Sequence, residues 1–394
     1  MATSSTDAQQ PIAYDNEHWY IGGRCTWAAT PDVSRECAVK KSSTAAVVGA
    51  ALGAGVVGLG VGTIFAGIAR DAFRAEPAVD DGPDDLLKAP STSPTRPVVH
   101  TADRTRLNVE VHGPSIDDHD HDVLVMVHGW TCNTAYWYPQ INALAGDRTL
   151  VAYDQRGHGT SERGRRRPTV AMLGEDLDAV LDAVVPEGRR AVLVGHSMGG
   201  MTIMSWAAQF PDRVADRVSG VALTSTAAKA VLQNHALVPV NLPRYTRPFE
   251  ATVGKLFTST PVPIPKTPYG GRLSHYIALG PNARKSHVDF VDEMIGACPP
   301  RSRAGWGAAM GKLDVTAGLE ALSVPTTVIV GTDDRLTPPA HAEQMAEVLR
   351  RNGNLRDLVV YDGVGHMSSI EAAERFNELL GDILADVAKE RVEV

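Results

Sequence analysis

Cysteine is scarce. Four occur in 394 residues, at positions 25, 37, 132 and 298, too few for a disulfide framework, and none stands in the C-x-x-C spacing of a zinc site. Neither a metal nor an organic cofactor is expected on this pattern. Cys25 and Cys37 would be able to bridge in an oxidising compartment, whereas Cys132 and Cys298 read as isolated. Basic charge is short as well: 38 Lys and Arg stand against 46 Asp and Glu, a formal net charge of −8. Nucleic-acid surfaces show as basic stripes, so a nucleic-acid partner is not expected. The one basic cluster, Arg163 and Arg165 to Arg167, falls in a predicted loop and reads as a solvated turn.

Charge of either sign is missing altogether from the 26 residues Thr44 to Ala69, which Lys40, Lys41 and Arg70 bracket. Such a run is long enough to cross a bilayer as a helix. Its glycines and alanines make it only moderately hydrophobic, and they place Gly49 with Gly53 and Gly58 with Gly62 at the small-xxx-small spacing through which helices associate in lipid. A signal peptide and a buried segment of a soluble domain compete with the anchor reading. The forty residues ahead of the run exceed an ordinary signal peptide, so a single-pass anchor, open to self-association, is the expectation. Arg35, Lys40 and Lys41 precede the run and Arg70 and Arg74 follow it; basic flanks favour the cytoplasm, which leans the following domain to the outer side.

The chain then divides by composition. Residues 1–43 are polar without periodicity and receive no fold; 70–96 are acidic and rich in proline, serine and threonine, a linker that buries too little apolar surface to fold; a domain occupies 97–394. Within it, apolar β-branched runs (106–112, 123–127, 149–154, 191–195, 218–224, 326–331, 357–361) alternate with helical patterns, clearest over 169–185. Alternation of this kind implies an α/β fold, a mainly parallel sheet with helices on both faces. About 227–318 is too long for one crossover and is rich in proline, so it reads as an insertion lying over the carboxyl ends of the strands, where open α/β sheets bind ligands.

The chain is organised around Ala191-Val192-Leu193-Val194-Gly195-His196-Ser197-Met198-Gly199-Gly200. A strand, a sharp turn and a helix meet there, and G-x-S-x-G at such a turn lifts a serine hydroxyl clear of the backbone while its flanks stay free of side chains. A serine needs a base, and the base needs a carboxylate. Of the thirteen histidines, His366 follows the last predicted strand and leads into the final helix, at the same end of the sheet as Ser197. His196, beside the serine, would point away. The carboxylate is Asp333 or Asp334 in Gly331-Thr332-Asp333-Asp334, whose side chains diverge so that only one reaches His366. Amide donors for a developing oxyanion would come from Met198, after the nucleophile, and Trp130, in the loop His128-Gly129-Trp130 after an earlier strand; His128 itself reads as a loop residue.

HGW (128–130), DQRGHGTS (154–161), GHSMGG (195–200), GTDDRLTP (331–338) and GVGHM (363–367), in that order, resemble the α/β-hydrolase fold superfamily over about 97–390, and in particular the membrane-anchored α/β hydrolases of actinobacteria. The resemblance implies that Asp334 is the acid, that 154–159 is a structural loop and that the insertion is a helical cap. Serine rather than aspartate at the turn points to acyl chemistry, so a serine esterase or lipase-like hydrolase acting on a small hydrophobic ester is expected. Perhydrolase, acyltransferase and C–C hydrolase activities share the triad, and a ligand-binding protein that keeps the fold is the non-catalytic alternative. An apolar wall for the substrate is expected from Leu237, Val238, Phe249, Leu256, Phe257, Phe290, Met294 and Trp306, unless these pack the cap itself.

Overall fold

The computed structural model describes residues 43–393 except 116–120, 232–233, 240 and 262–269, with the side chains of 43–57, 257 and 390–393 also left aside. The polar segment before residue 43, with Cys25 and Cys37, lies outside the described residues. Two compact units result, Met1–Ala51 and Leu52–Val394, and the fold set out here is that of the second.

Nine strands form among the described residues: β1 (Val99–His100), β2 (Arg106–Leu107), β3 (Val109–His112), β4 (Val123–Val127), β5 (Leu150–Tyr153), β6 (Ala191–His196), β7 (Val218–Thr224), β8 (Thr326–Gly331) and β9 (Leu355–Tyr361). β1 and β2 make a two-stranded ladder; the other seven make one sheet in the order β3-β5-β4-β6-β7-β8-β9, parallel throughout except where β3 pairs antiparallel to β5. The α/β expectation holds. The single strand expected over 106–112 is instead two, because Asn108 turns its hydrogen bonds sideways: its amide donates to Ser161 Oγ (2.8 Å) and its side chain to Asp154 Oδ2 (3.0 Å).

The helices are α1 (Ser43–Arg74), α2 (Tyr138–Leu144), α3 (Val170–Val184), α4 (Met198–Gln209), α5 (Val214–Arg217), α6 (Glu250–Ser259), α7 (Gly270–Ala278), α8 (Lys285–Ala297), α9 (Pro300–Met310), α10 (Thr316–Ala321), α11 (Pro339–Arg351), α12 (Ser368–Glu371) and α13 (Ala373–Glu393). Because side chains alternate across a strand, the buried strand residues sort into two cores. Val123, Val125, Val127, Leu193, Leu223 and Val328 face the side covered by α3, α4 and α11, and Leu124, Met126, Val192, Val194, Ala222 and Ile329 face the side covered by α2 and α13. Each such side chain stabilises the fold by about 1.5–3 kcal/mol. α3 shows how a helix is read locally: the Thr169 side chain caps Met172 N–H, and Leu173, Leu177, Val180, Leu181 and Val184 repeat at helical spacing on its buried face.

The uncharged run at 44–69 does become helix, as part of α1, yet the membrane-crossing reading is not supported: among the described residues no helix is long and apolar enough to cross a membrane. The described part of α1 has a protein partner. Ile64 and Ile68, with Val61, pack on Val253, Phe249, Leu242 and Tyr276 of the segment between β7 and β8. The approach is close enough that a Cβ on Gly60 would lie 2.2 Å from the Phe249 ring. Of the paired glycines, Gly58 and Gly62 turn away from this contact, with nothing within 4 Å of a Cβ added at either.

One buried cation ties loops to α3. Arg156, 2% exposed, meets Asp176 of α3 at 2.6 Å and Asp103 at 2.9 Å, with Thr101 and Thr105 filling its remaining donors. Removing one partner of such a group strands the others without compensation. Arg156→Met should therefore lower the unfolding free energy by roughly 3–5 kcal/mol, read as a shifted urea midpoint; a midpoint within error of wild type would show that the pair contributes nothing.

Candidate active site

Ser197 stands between β6 and α4 with φ 52° and ψ −116°, a left-handed backbone on a side chain that ordinarily avoids it. Such strain costs on the order of 1–3 kcal/mol and persists only where neighbours over-determine it. They do. The Ser197 amide donates to Thr224 O (2.9 Å), and its carbonyl accepts from Gly200 N (3.0 Å), Met201 N (3.2 Å) and the Thr226 hydroxyl (2.6 Å). The flanking glycines are steric necessities: a Cβ on Gly195 would lie 2.6 Å from the backbone of Gly199 and Gly200, and one on Gly199 would lie 2.0 Å from Val127 O.

His366 and Asp334 meet at the carboxyl end of β8 and β9. The His366 Nδ1 lies 3.0 and 2.9 Å from the two Asp334 oxygens. Asp334 also accepts from the amides of Leu336 (2.9 Å) and Thr337 (2.8 Å) and from the Thr337 hydroxyl (2.8 Å). Every lone pair of the carboxylate is thus directed, and Nδ1 must carry the proton to donate to it. That leaves Nε2 as the basic nitrogen. Asp333 turns elsewhere: its side chain accepts from the Thr332 hydroxyl (3.1 Å). His366 is also brought against the nucleophile's neighbour, its ring centroid 4.9 Å from that of His196.

His196 points away from Ser197, as expected. Its ring stacks on Tyr136 (4.3 Å between centroids, 16° between planes), and its Nε2–H donates to His366 O (3.0 Å). Burial, reinforced by the nearby His366, holds its basicity well below the ordinary histidine value.

The loop after β4 lies directly on Ser197. A Cβ on Gly129 would come within 3.1 Å of Ser197 Cβ and 2.6 Å of His196 Nδ1, so only glycine lets the chain pass. Cys132 N donates to Gly129 O (3.2 Å), which closes a turn around Trp130, and the Trp130 indole N–H donates to Arg303 O in α9 (2.9 Å). Met198 is the first residue of α4, so its amide is among those without an acceptor inside the helix. His128 is structural: Nδ1–H donates to Gly129 O (2.7 Å), Nε2 accepts from Gln155 N (3.0 Å), and burial lowers its pKa to about 4. The 154–159 loop is held by Asp154, which accepts from Thr134 N (2.8 Å) and Thr160 N (2.9 Å). Among the described residues no group of three or more His, Cys, Asp or Glu is arranged to hold a metal.

Most of the residues named for the apolar wall pack into cores. Phe290 and Met294 join the core under α2 and α13, and Trp306 is buried in the opposite core with its indole donating to Arg156 O (2.7 Å). Val238 and Phe249 pack on α1, Leu256 is exposed, and the Phe257 side chain lies outside the described residues. Apolar content alone does not say which surface a helix faces. Sequence reading also passed over Thr337, three residues beyond the acid, and Glu371, five beyond the histidine; a hydroxyl or carboxylate at short spacing after a triad residue is the only local signal for either.

Asp334→Asn should reduce turnover about 10⁴-fold by presenting the wrong hydrogen-bond partner to Nδ1, whereas Asp333→Asn should retain most activity. Steady-state kinetics on one ester with both variants checks this, and equal losses would remove the distinction.

Residues 122–373 match the family model for the alpha/beta hydrolase fold. The chain is similar to the provisionally assigned carbamate hydrolase RutD of Variovorax paradoxus, 29% identical over 293 residues that cover 72% of this chain and 97% of the relative. It is also similar to the bifunctional esterase/perhydrolase DCH of Acinetobacter calcoaceticus, 25% identical with 71% and 97% covered. A thermophilic esterase structure from Thermogutta terrifontis superposes with a TM-score of 0.58 at 22% identity, covering 75% of this chain and 99% of the other; at that identity the likeness speaks for the fold alone. With the family model spanning well over half its length and the glycine-flanked serine turn in place, the chain belongs to the α/β-hydrolase fold family.

Proposed function

We propose that the protein is a serine hydrolase that cleaves carboxylic esters through an acyl-enzyme on Ser197. The observation that carries this is the strained Ser197 turn, whose preceding residue His196 has its ring 4.9 Å from that of His366, a histidine with Nδ1 committed to Asp334. In this reading the His366 Nε2 takes the proton as Ser197 Oγ adds to the acyl carbon, and the Asp334 carboxylate stabilises the imidazolium. The amides of Met198 and Trp130 receive the oxyanion, and the imidazolium then returns the proton to the leaving alkoxide. Water repeats the sequence in reverse. Neutral His196 matters to this step, because a second positive ring 4.9 Å away would oppose the charging of His366.

A second reading, acyl transfer from Ser197 to peroxide, draws on the relative named as a bifunctional esterase/perhydrolase, and carbamate cleavage draws on the relative named for it. An active-site fluorophosphonate should label wild type and leave Ser197→Ala unlabelled, and aryl acetates and butyrates should turn over faster than matched carbamates. Labelling of the alanine variant would move the nucleophile. Faster carbamate turnover would replace the ester assignment, and peracid formation outpacing hydrolysis at millimolar peroxide would favour the acyl-transfer reading.

We further propose that residues 44–69 attach the chain to a membrane, with the hydrolase unit on the outer side. Support comes from the absence of charge across the run and from the outward face of α1, where Leu59 is 64% exposed. Fractionated cells should retain the protein in the membrane pellet, and protease added to intact cells should remove the hydrolase unit. Recovery in the soluble fraction, or protection until the membrane is opened, would overturn the attachment or the orientation respectively.

A further inference from the structure

The backbone on either side of His366 is held by a residue outside the triad. Glu371 ends α12, and its carboxylate accepts from Gly365 N (3.1 and 3.2 Å) and Met367 N (3.2 Å), the residues flanking His366, and from Gly280 N (2.7 Å) in the segment between β7 and β8. The His366 amide itself donates to Ala278 O (3.0 Å) at the end of α7. Three consecutive amides around the histidine are therefore anchored, alternately, by Glu371 and by the α7 terminus. The two chains touch backbone to backbone: a Cβ on Gly365 would lie 2.3 Å from Gly280 N, and one on Gly280 would lie 2.4 Å from Gly363 O. The same helix end reaches the acid loop, since Tyr276 O accepts from the guanidinium of Arg335, next to Asp334 (2.9 Å).

We propose that Glu371 is a positioning residue for the reaction: its carboxylate fixes the His366 loop to the α7 terminus and so sets the aim of the imidazole at Ser197 and Asp334. Plain loop packing is the competing account, and it leaves the choice of a carboxylate unexplained. Burial pushes the Glu371 carboxyl up to about 7, against the pull of its three amide donors, and the Asp334 carboxylate adds to the rise. An anion at that depth is costly to keep where a neutral acceptor would serve packing alone. Its use is that a carboxylate has acceptor sites for all three amides at once, while an amide side chain turns one end into a donor facing them. Misaim on the ångström scale is enough to lower a rate about 100-fold.

The inference rests on the hydrolase reading only in naming His366 as the base. Glu371→Gln should lower kcat by roughly 10- to 100-fold with KM within about twofold, and Glu371→Asp should recover part of the loss. The decisive measurement needs no substrate. In the Ser197→Ala background, the downfield proton-NMR resonance of His366 Nδ1–H reports its hydrogen bond to Asp334, and adding Glu371→Gln should shift or broaden it while the methyl spectrum stays native. If the Gln variant does not fold, Glu371→Asp, which withdraws the charge by one methylene, carries the same test. An unchanged Nδ1–H resonance in a folded variant, or a loss of kcat matched by a general loss of methyl dispersion, would reduce Glu371 to packing and overturn the proposal. Failure of the fluorophosphonate to label Ser197 would sink the hydrolase assignment and leave the resonance result standing.

Discussion

Everything at the site depends on one uncomfortable backbone. Ser197 is held at positive φ, a conformation the chain adopts only because β6 delivers it between β4 and β7 and α4 leaves it at once. The strain has a structural source of support on every side: Thr224 at the end of the next strand and Thr226 just beyond it, glycine at both flanks, and Gly129 admitting the neighbouring loop. Loosen any of these and the turn can relax toward ordinary geometry, which would lower the hydroxyl into the sheet. Stability of the sheet and the pose of the Ser197 hydroxyl are in this sense one property.

The electrostatics follow a simple partition. Burial lowers the pKa of His128 to about 4 and of His158 to about 3, and each bonds to a backbone carbonyl. The buried cation Arg156 is fully matched by Asp103 and Asp176. His366 is paired with Asp334, so in the proposed reaction the positive form of the imidazole has a partner already in place.

Much of this was legible in the sequence, for reasons that differ by element. β4, β7 and β8 are short uninterrupted apolar runs with turn residues at their ends, and their bounds follow from that pattern alone. The serine turn was legible because steric need writes itself as glycine at fixed spacing. The choice of Asp334 over Asp333 was not, since adjacent residues differ only in the direction the backbone gives them; it took the family pattern to choose, and the geometry agrees. Two features escaped sequence reading for one reason. Asn108 breaks a strand because of partners at Asp154 and Ser161, and the Glu371 carboxylate bonds Gly280 ninety-one residues away. In each case the deciding contact joins positions that no local window contains.

The crossing of Gly280 and Gly365 bears on how molecules get in and out. Two backbones in direct contact, with the His366 amide bonded across them, leave no slack for the end of α7 to swing. A segment so fastened cannot serve as a hinged door, because opening it would dismantle the base it shelters.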